Sequence, residues 1–248
     1  RILSRSISPF SKNPDDFDLI YPHFDTHWFL KPEDKYVYKI ANVMLETGPR
    51  YHTTAVLAGT NNKLVEELKR THENIHSLRF GVDIDIFKPF PMVRNDNLFH
   101  IGFIGNVLTP RRYIKDIFMP LKDIPGVRLM IFPTAWASHT REDEIDSMGG
   151  ISMLESVVDG DKWYTGLPNL YNQMDMFIRC DIDHGYQFSV MEAASCGVPV
   201  VCVDSGPCRE LADAGGAICI DNGNNSWEPE NLTRIAQKIR EAVIELRD

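Results

Sequence analysis

The 248-residue chain is sparing with cysteine, holding five: Cys180, Cys196, Cys202, Cys208 and Cys219. The number is odd and no C-x-x-C occurs, so neither a disulfide framework nor a zinc site is suggested. The five read as small buried apolar residues in a reducing compartment. Positive charge is scarce as well. There are 26 Lys and Arg against 35 Asp and Glu, a net charge of −9 at pH 7. Such a surface repels a phosphate backbone and disfavours a nucleic-acid partner. It leaves room for a small phosphate ligand held by backbone amides and one or two cations. No apolar run approaches the roughly 18 residues that span a bilayer, and no signal-peptide pattern is visible. A cytoplasmic protein without a transmembrane segment, peripheral to a membrane at most, is therefore expected. The first residue is Arg1 rather than Met, so the natural start is expected upstream.

What is present is globular in kind. With 43% hydrophobic and 25% charged residues, the chain can bury a full core without disulfides or metals. Two domains fit the pattern better than one. Residues 1–92 are mixed, with strands expected at 18–21, 54–59 and 76–80. Apolar residues at helical spacing (Tyr36, Val37, Ile40, Val43, Met44) predict a helix over 33–45. A second helix is predicted over 63–70, capped by Asn61 or Asn62. Phe87-Lys88-Pro89-Phe90-Pro91 breaks regular structure twice and is the linker candidate.

From there, over 93–248, the pattern becomes regular. Strands are expected at 99–105, 127–132, 176–179, 198–203 and 217–220. Helices are expected at 113–121, 167–174, 190–196, 208–212 and 229–246, while 136–162 is polar and hard to place. The last helix has Leu232, Ile235, Ile239, Val243 and Leu246 on one face. Alternating helices and uniformly apolar strands predict a doubly wound parallel sheet, a Rossmann-like α/β domain covered on both faces.

The stretch from Asp183 to Val201 carries the most chemistry. A loop with His184 and Gly185 leads into a helix that stops at Gly197, and a buried strand follows directly. In an open parallel sheet, ligands bind beyond the carboxyl ends of strands, where such loops lie. Free amides at a helix start favour an anion, and a carboxylate in the first turn, Glu192, can accept hydrogen bonds from two adjacent ribose hydroxyls. The same residue also completes a capping box, Ser189-x-x-Glu192. Spacing alone supports both roles for Glu192.

Gly185, Tyr186, Val190, Glu192, Ala193, Cys196, Gly197, Pro199, Val200 and Val201 resemble the signature of the retaining family 4 glycosyltransferases, which have two Rossmann-like domains. Gly206-Pro207 and Glu210-Leu211 fit the turn and helix that follow. Gly81-Val82-Asp83 with Phe87 and Pro89 resembles the segment preceding the donor domain, and Ile101 to Gly105 its first strand and glycine loop. The likeness runs over 54–248.

Two positions depart from that pattern. The family's first signature Glu falls on His184, beside Asp183. Its Arg after the glycine falls on Asn106, while its Lys falls on Arg111, with Arg112 and Lys115 nearby. The resemblance implies a nucleoside diphosphate sugar donor, bound by Gly105, Asn106, Arg111, Gly185, Tyr186, Gln187, Phe188, Ser189 and Glu192, and no obligatory metal or other cofactor. His184 would face the sugar and Arg111 the departing diphosphate. The acceptor (glycan, lipid or small molecule) is open.

Plainer roles exist for each. A loop histidine such as His184 is often a surface hydrogen-bonder, and Arg111, Arg112 and Lys115 could be a solvated helix start. Trp163 and Tyr164, where the family passes the base, fit a core equally well. His23 and His27 suit packing or the surface better than an acceptor site. Epimerases of the same architecture and non-catalytic binding domains are the competing functions. Residues 1–92 hold no glycine-rich first turn, so the start of an acceptor-side domain is expected to be missing.

Overall fold

The structure, a computed structural model, describes residues 2–3, 19–20, 40–43, 56–59, 65–66, 69–70, 75–77, 81–92, 94–105, 114–133, 151–153, 162–180, 188–205, 207–223 and 228–248. The chain divides into two compact units, the first over Arg1–Gly81 and the second over Val82–Asp183 and Gln187–Asp248.

The described strands of the first unit are all parallel to their neighbours. β1 (Ile2–Leu3) pairs with β2 (Leu19–Ile20). β3 (Ile40–Val43), β4 (Val56–Gly59) and β5 (Ile75–Ser77) form a three-stranded sheet. The helix expected over 33–45 is thus corrected at Ile40–Val43, which is a strand. Its apolar spacing fits a helix, but Ile40 and Val43 are β-branched and sit opposite Val56 and Gly59. Partner strands outweigh local periodicity in such cases. Val65 and Glu66 are helical, inside the helix expected there.

In the second unit, β6 (Phe99–Gly105), β7 (Val127–Pro133), β8 (Ile151–Met153), β9 (Met176–Arg179), β10 (Val200–Val203) and β11 (Ile218–Ile220) form one parallel sheet in the order β11-β10-β9-β6-β7-β8. Counted from β6, this is the doubly wound order 3-2-1-4-5-6, whose connections reverse direction between β6 and β9. Helices α1 (Lys162–Tyr171), α2 (Phe188–Ser195), α3 (Pro207–Asp213) and α4 (Pro229–Arg247) supply the layers.

Alternate strand residues feed two cores. Ile101, Phe103, Leu129, Ile131, Ile178 and Val201 pack with Ile235, Ile239 and Val243 of α4. Ile104, Met130, Phe132, Phe177 and Cys202 pack on the other face with Leu170 and Tyr171 of α1 and Val190 and Ala193 of α2. The Rossmann-like α/β sheet expected for this region is therefore what forms. All five cysteines are free thiols, four of them buried and Cys219 half-buried.

Three local expectations change. The helix predicted over 113–121 is a π-helical turn, Ile114–Phe118, running into a 3₁₀ turn, Met119–Asp123. Pro120 has no N–H to continue an α-helix, but it is tolerated in the first turn of the next element. The helix placed at 167–174 starts earlier, at Lys162, and ends at Tyr171. Its last carbonyls are taken by tighter bonds, Gln173 N–H to Leu170 O (3.2 Å) and Met174 N–H to Tyr171 O (2.9 Å). β8 lies in the polar stretch 136–162, too short for periodicity to reveal.

The stretch expected as a linker, 87–91, is built onto the second unit. Phe87 is 1% exposed. Asn172 clasps the chain on either side of Pro89, accepting from Phe90 N–H at 2.9 Å and donating to Lys88 O at 3.1 Å.

Gly197 ends α2 as its place in the sequence predicts. Its φ is +75°. Its N–H bonds to Ala194 O at 3.0 Å, and Val198 N–H bonds to Ala193 O at 3.1 Å, a Schellman closure. An added Cβ would lie 3.1 Å from Pro89 Cγ. Gly197→Ala is expected to destabilise the protein by roughly 1–2 kcal/mol, the cost of a left-handed L-residue. Chemical denaturation measures it, and an unchanged midpoint would mean that the turn relaxes without cost.

Candidate functional site

The connections reverse between β6 and β9, and in doubly wound sheets the crevice that binds ligands lies beyond the carboxyl ends of the strands at such a reversal. Gly105 ends β6 with φ +149°, a conformation that L side chains rarely adopt. Arg179 ends β9. α2 begins with Phe188 and Ser189, both half-buried, and the amino end of its dipole favours an anion.

Arg179 is a residue that the sequence motifs do not reach. It is 8% exposed. Its Nη1 donates to Ile104 O at 3.1 Å and to Ser189 Oγ at 3.3 Å, and its guanidinium lies 5.6 Å from the centre of the Phe103 ring. One cation thus ties the strand end before Gly105 to the first turn of α2. The signal available in the sequence was a charged residue inside the otherwise apolar Met-Phe-Ile-Arg strand.

Glu192 lies one turn into α2 and is 9% exposed. Its Oε2 accepts a 2.7 Å hydrogen bond from the Tyr171 hydroxyl. Burial pushes its carboxyl above the ordinary range, and the tyrosine pulls it part of the way back. The Tyr171 phenol is itself pushed well up by burial and by the neighbouring Glu192 charge, so it stays a neutral donor. Neither side-chain bond of a capping box forms among the described residues. The Ser189 hydroxyl faces Arg179 and the Glu192 carboxylate faces Tyr171. The capping-box reading of Ser189 and Glu192 therefore gives way.

Of the expected site residues, Gly105, Phe188, Ser189 and Glu192 fall at this crevice or in the helix that borders it. Asn106, Arg111, His184, Gly185, Tyr186 and Gln187 lie outside the described residues, as do Arg112, Asp183, His23 and His27. Lys115 is exposed. Trp163 and Tyr164 are in the first turn of α1, their side chains outside the described set. Among the described residues no group of three or more His, Cys, Asp or Glu is placed to hold a metal ion, and no helix is long and apolar enough to cross a membrane.

An open cleft of about 760 Å³ lies at the opposite, amino end of the strands, lined by Arg94, Asp96, Phe99, Asp175 and Arg247 among others. Its charges serve the fold. Arg94 grips Asp175 through two bonds of 2.5 and 2.6 Å, and Asp96 meets the His100 ring at 2.9 Å.

The family model of glycosyl transferases group 1 matches residues 99–244, the whole sheet and most of its last helix. The chain belongs to the group 1 glycosyl transferases. No curated relative matches it.

Solved structures share the fold of this group 1 glycosyl transferase at low identity. HepE of Anabaena in complex with UDP-glucose has a TM-score of 0.58 and 16% identity, over 83% of this chain and 64% of that one. WaaG, a glycosyltransferase involved in lipopolysaccharide biosynthesis, has 0.59 and 13%, over 92% and 70%. Sucrose-phosphate synthase from Thermosynechococcus elongatus has 0.63 and 12%, over 83% and 59%. The chain spans 55% and 64% of the length of two HepE structures.

Proposed function

We propose that this group 1 glycosyl transferase binds a nucleoside diphosphate sugar at the β6–β9 crevice and transfers its sugar to an acceptor, with retention at the anomeric carbon. The observation that carries the reading is Glu192, a buried carboxylate one turn into the helix that borders the crevice. Among the described residues its polar partner is a neutral phenol, which leaves its charge for ligand hydroxyls. The amide end of α2 favours the diphosphate. Arg111 and the helix amides would stabilise the charge that grows on the leaving diphosphate, and His184 would face the sugar. These two assignments, like retention and the lack of a need for metal, rest on the sequence resemblance. The HepE structures hold UDP or UDP-glucose, which puts uracil nucleotides first in a donor panel.

The test is calorimetric titration with UDP-, GDP- and ADP-glucose, followed by nucleoside diphosphate release with and without acceptors. Binding together with acceptor-dependent release supports transfer. Epimerised nucleotide sugar without acceptor would make the protein an epimerase, and failure to bind any of the three at millimolar concentration would remove the donor site.

Arg111 has its own test. Arg111→Ala is expected to raise the Kd of UDP at least tenfold, about 1.4 kcal/mol, while leaving uridine nearly unchanged, because a guanidinium recognises phosphate rather than base or ribose. Equal losses for the two ligands would make the side chain structural.

A further inference from the structure

Tyr171, the last residue of α1, is fully buried. Its ring is held edge-on by Phe87, centroids 6.1 Å apart at 62°, and by Phe177, 5.7 Å apart at 71°. A phenolic oxygen lies on the axis about which the ring turns, so two such contacts fix the hydroxyl in space even if the ring flips. That hydroxyl donates to Oε2 of Glu192 at 2.7 Å. The bond crosses between helices 21 residues apart in sequence, and Tyr171 has no route to solvent through which it could act alone.

We propose that Tyr171 is the positioning residue of the nucleotide site, locking one carboxylate oxygen of Glu192 so that the other is presented to the ribose hydroxyls of the donor. This rests on the donor-site reading above and deepens it. A phenol suits the task because it satisfies a buried acceptor without neutralising it. A Lys or Arg in its place would pair with the carboxylate and compete with the ligand. Among the described residues the groups facing Glu192 are Tyr171 from α1 and Cys196 from its own helix, and the Arg179 charge of β9 bears on Tyr171. Burial and the Glu192 charge push the Cys196 thiol up to about 11, so Cys196 stays a neutral thiol at neutral pH and Glu192 is the acidic member of the set.

The sign of the pH effect follows. Donor binding needs the ionised carboxylate. Burial raises the carboxyl and Tyr171 lowers it. Removing the hydroxyl raises it further, so the acidic limb of the binding profile moves to higher pH.

The experiment is titration of UDP-glucose from pH 5.5 to 8 into wild type, Tyr171→Phe, Glu192→Gln and the double variant. UDP-glucose is chosen because its phosphates carry no terminal group titrating near pH 6, as a phosphomonoester does. Phenylalanine keeps the ring packing, and melting curves check it. We expect Tyr171→Phe to weaken binding at least fivefold at pH 7, to shift the acidic limb upward, and to cost nothing further in the Glu192→Gln background. The loss should shrink for the 2′-deoxyribose analogue, which a purely structural role would not produce. An unchanged profile, or an equal loss in the Gln background, overturns the proposal. If wild type binds none of the nucleotide sugars, the donor-site reading falls first. Carboxyl NMR of Glu192 in the free protein then decides the hold separately, and a titration that is the same in Tyr171→Phe overturns it.

Discussion

Glu192→Ala is expected to weaken binding of a nucleoside diphosphate sugar by more than tenfold, about 1.4 kcal/mol, and to lower stability at the same time. The first effect removes the carboxylate that the proposed donor site offers to the ribose. The second leaves the buried Tyr171 hydroxyl without its 2.7 Å partner, at a cost of roughly 1–3 kcal/mol for an unsatisfied donor. Glu192→Gln separates the two. The amide keeps the shape and an acceptor for Tyr171, so folding should survive while binding falls.

The stability of the Gln variant carries a pH signature. Burial raises the Glu192 carboxyl in the folded protein, so the folded state holds that proton more tightly than the unfolded chain does. Wild type therefore loses stability as pH rises from the unfolded value through the raised one. Gln removes that penalty, so its stabilising effect should be present at pH 7 and absent in acid. Calorimetry for binding and thermal melts at two pH values test both statements. If Gln binds like wild type and Ala merely melts earlier, Glu192 is a structural residue.

Phe87→Ala should have the largest effect on stability, roughly 3–5 kcal/mol, as for other buried phenylalanines truncated in a core. At about 2–4 °C per kcal/mol for a domain of this size, the melting temperature should fall by on the order of 10 °C. Phe87 is 1% exposed and packs on Tyr171 and the apolar face of the sheet below α1 and α2. Phe87→Leu, which leaves a smaller cavity, should cost less than half as much. A loss below about 0.5 kcal/mol on Ala substitution, as at surface positions, would mean that 87–91 is a surface linker after all.

The two variants meet at one place. Phe87 braces the ring whose hydroxyl holds Glu192, so its truncation should also loosen donor binding while Gly197→Ala, at the far end of α2, should not.

Much of the second unit was legible in the sequence by itself. Its central strands β6, β9 and β10 are buried almost throughout, so they read as largely apolar runs such as Phe-His-Ile-Gly-Phe-Ile-Gly and Val-Val-Cys-Val. The stop at Gly197 and the amphipathic last helix are local signals too. Glu192 was legible as a carboxylate of α2, but not its place in it, because the helix starts at Phe188 and puts Glu192 one turn in rather than in the first turn. The first unit was less legible, because a two-residue strand has no period and Ile40–Val43 becomes a strand through pairing with Val56–Gly59. Residues 87–91 looked like a linker because prolines mark irregular backbone, and irregular backbone can still be clasped, as Asn172 clasps this one. Strand order was beyond local reading altogether. It places β9 beside β6, and only that juxtaposition brings Arg179 to Ile104 O, 75 residues away in sequence. Spacing offered Glu192 a partner within its own helical turn, Ser189. The fold gave it Tyr171, because a buried carboxylate takes the donor that packing brings within hydrogen-bond reach, whatever the distance along the chain.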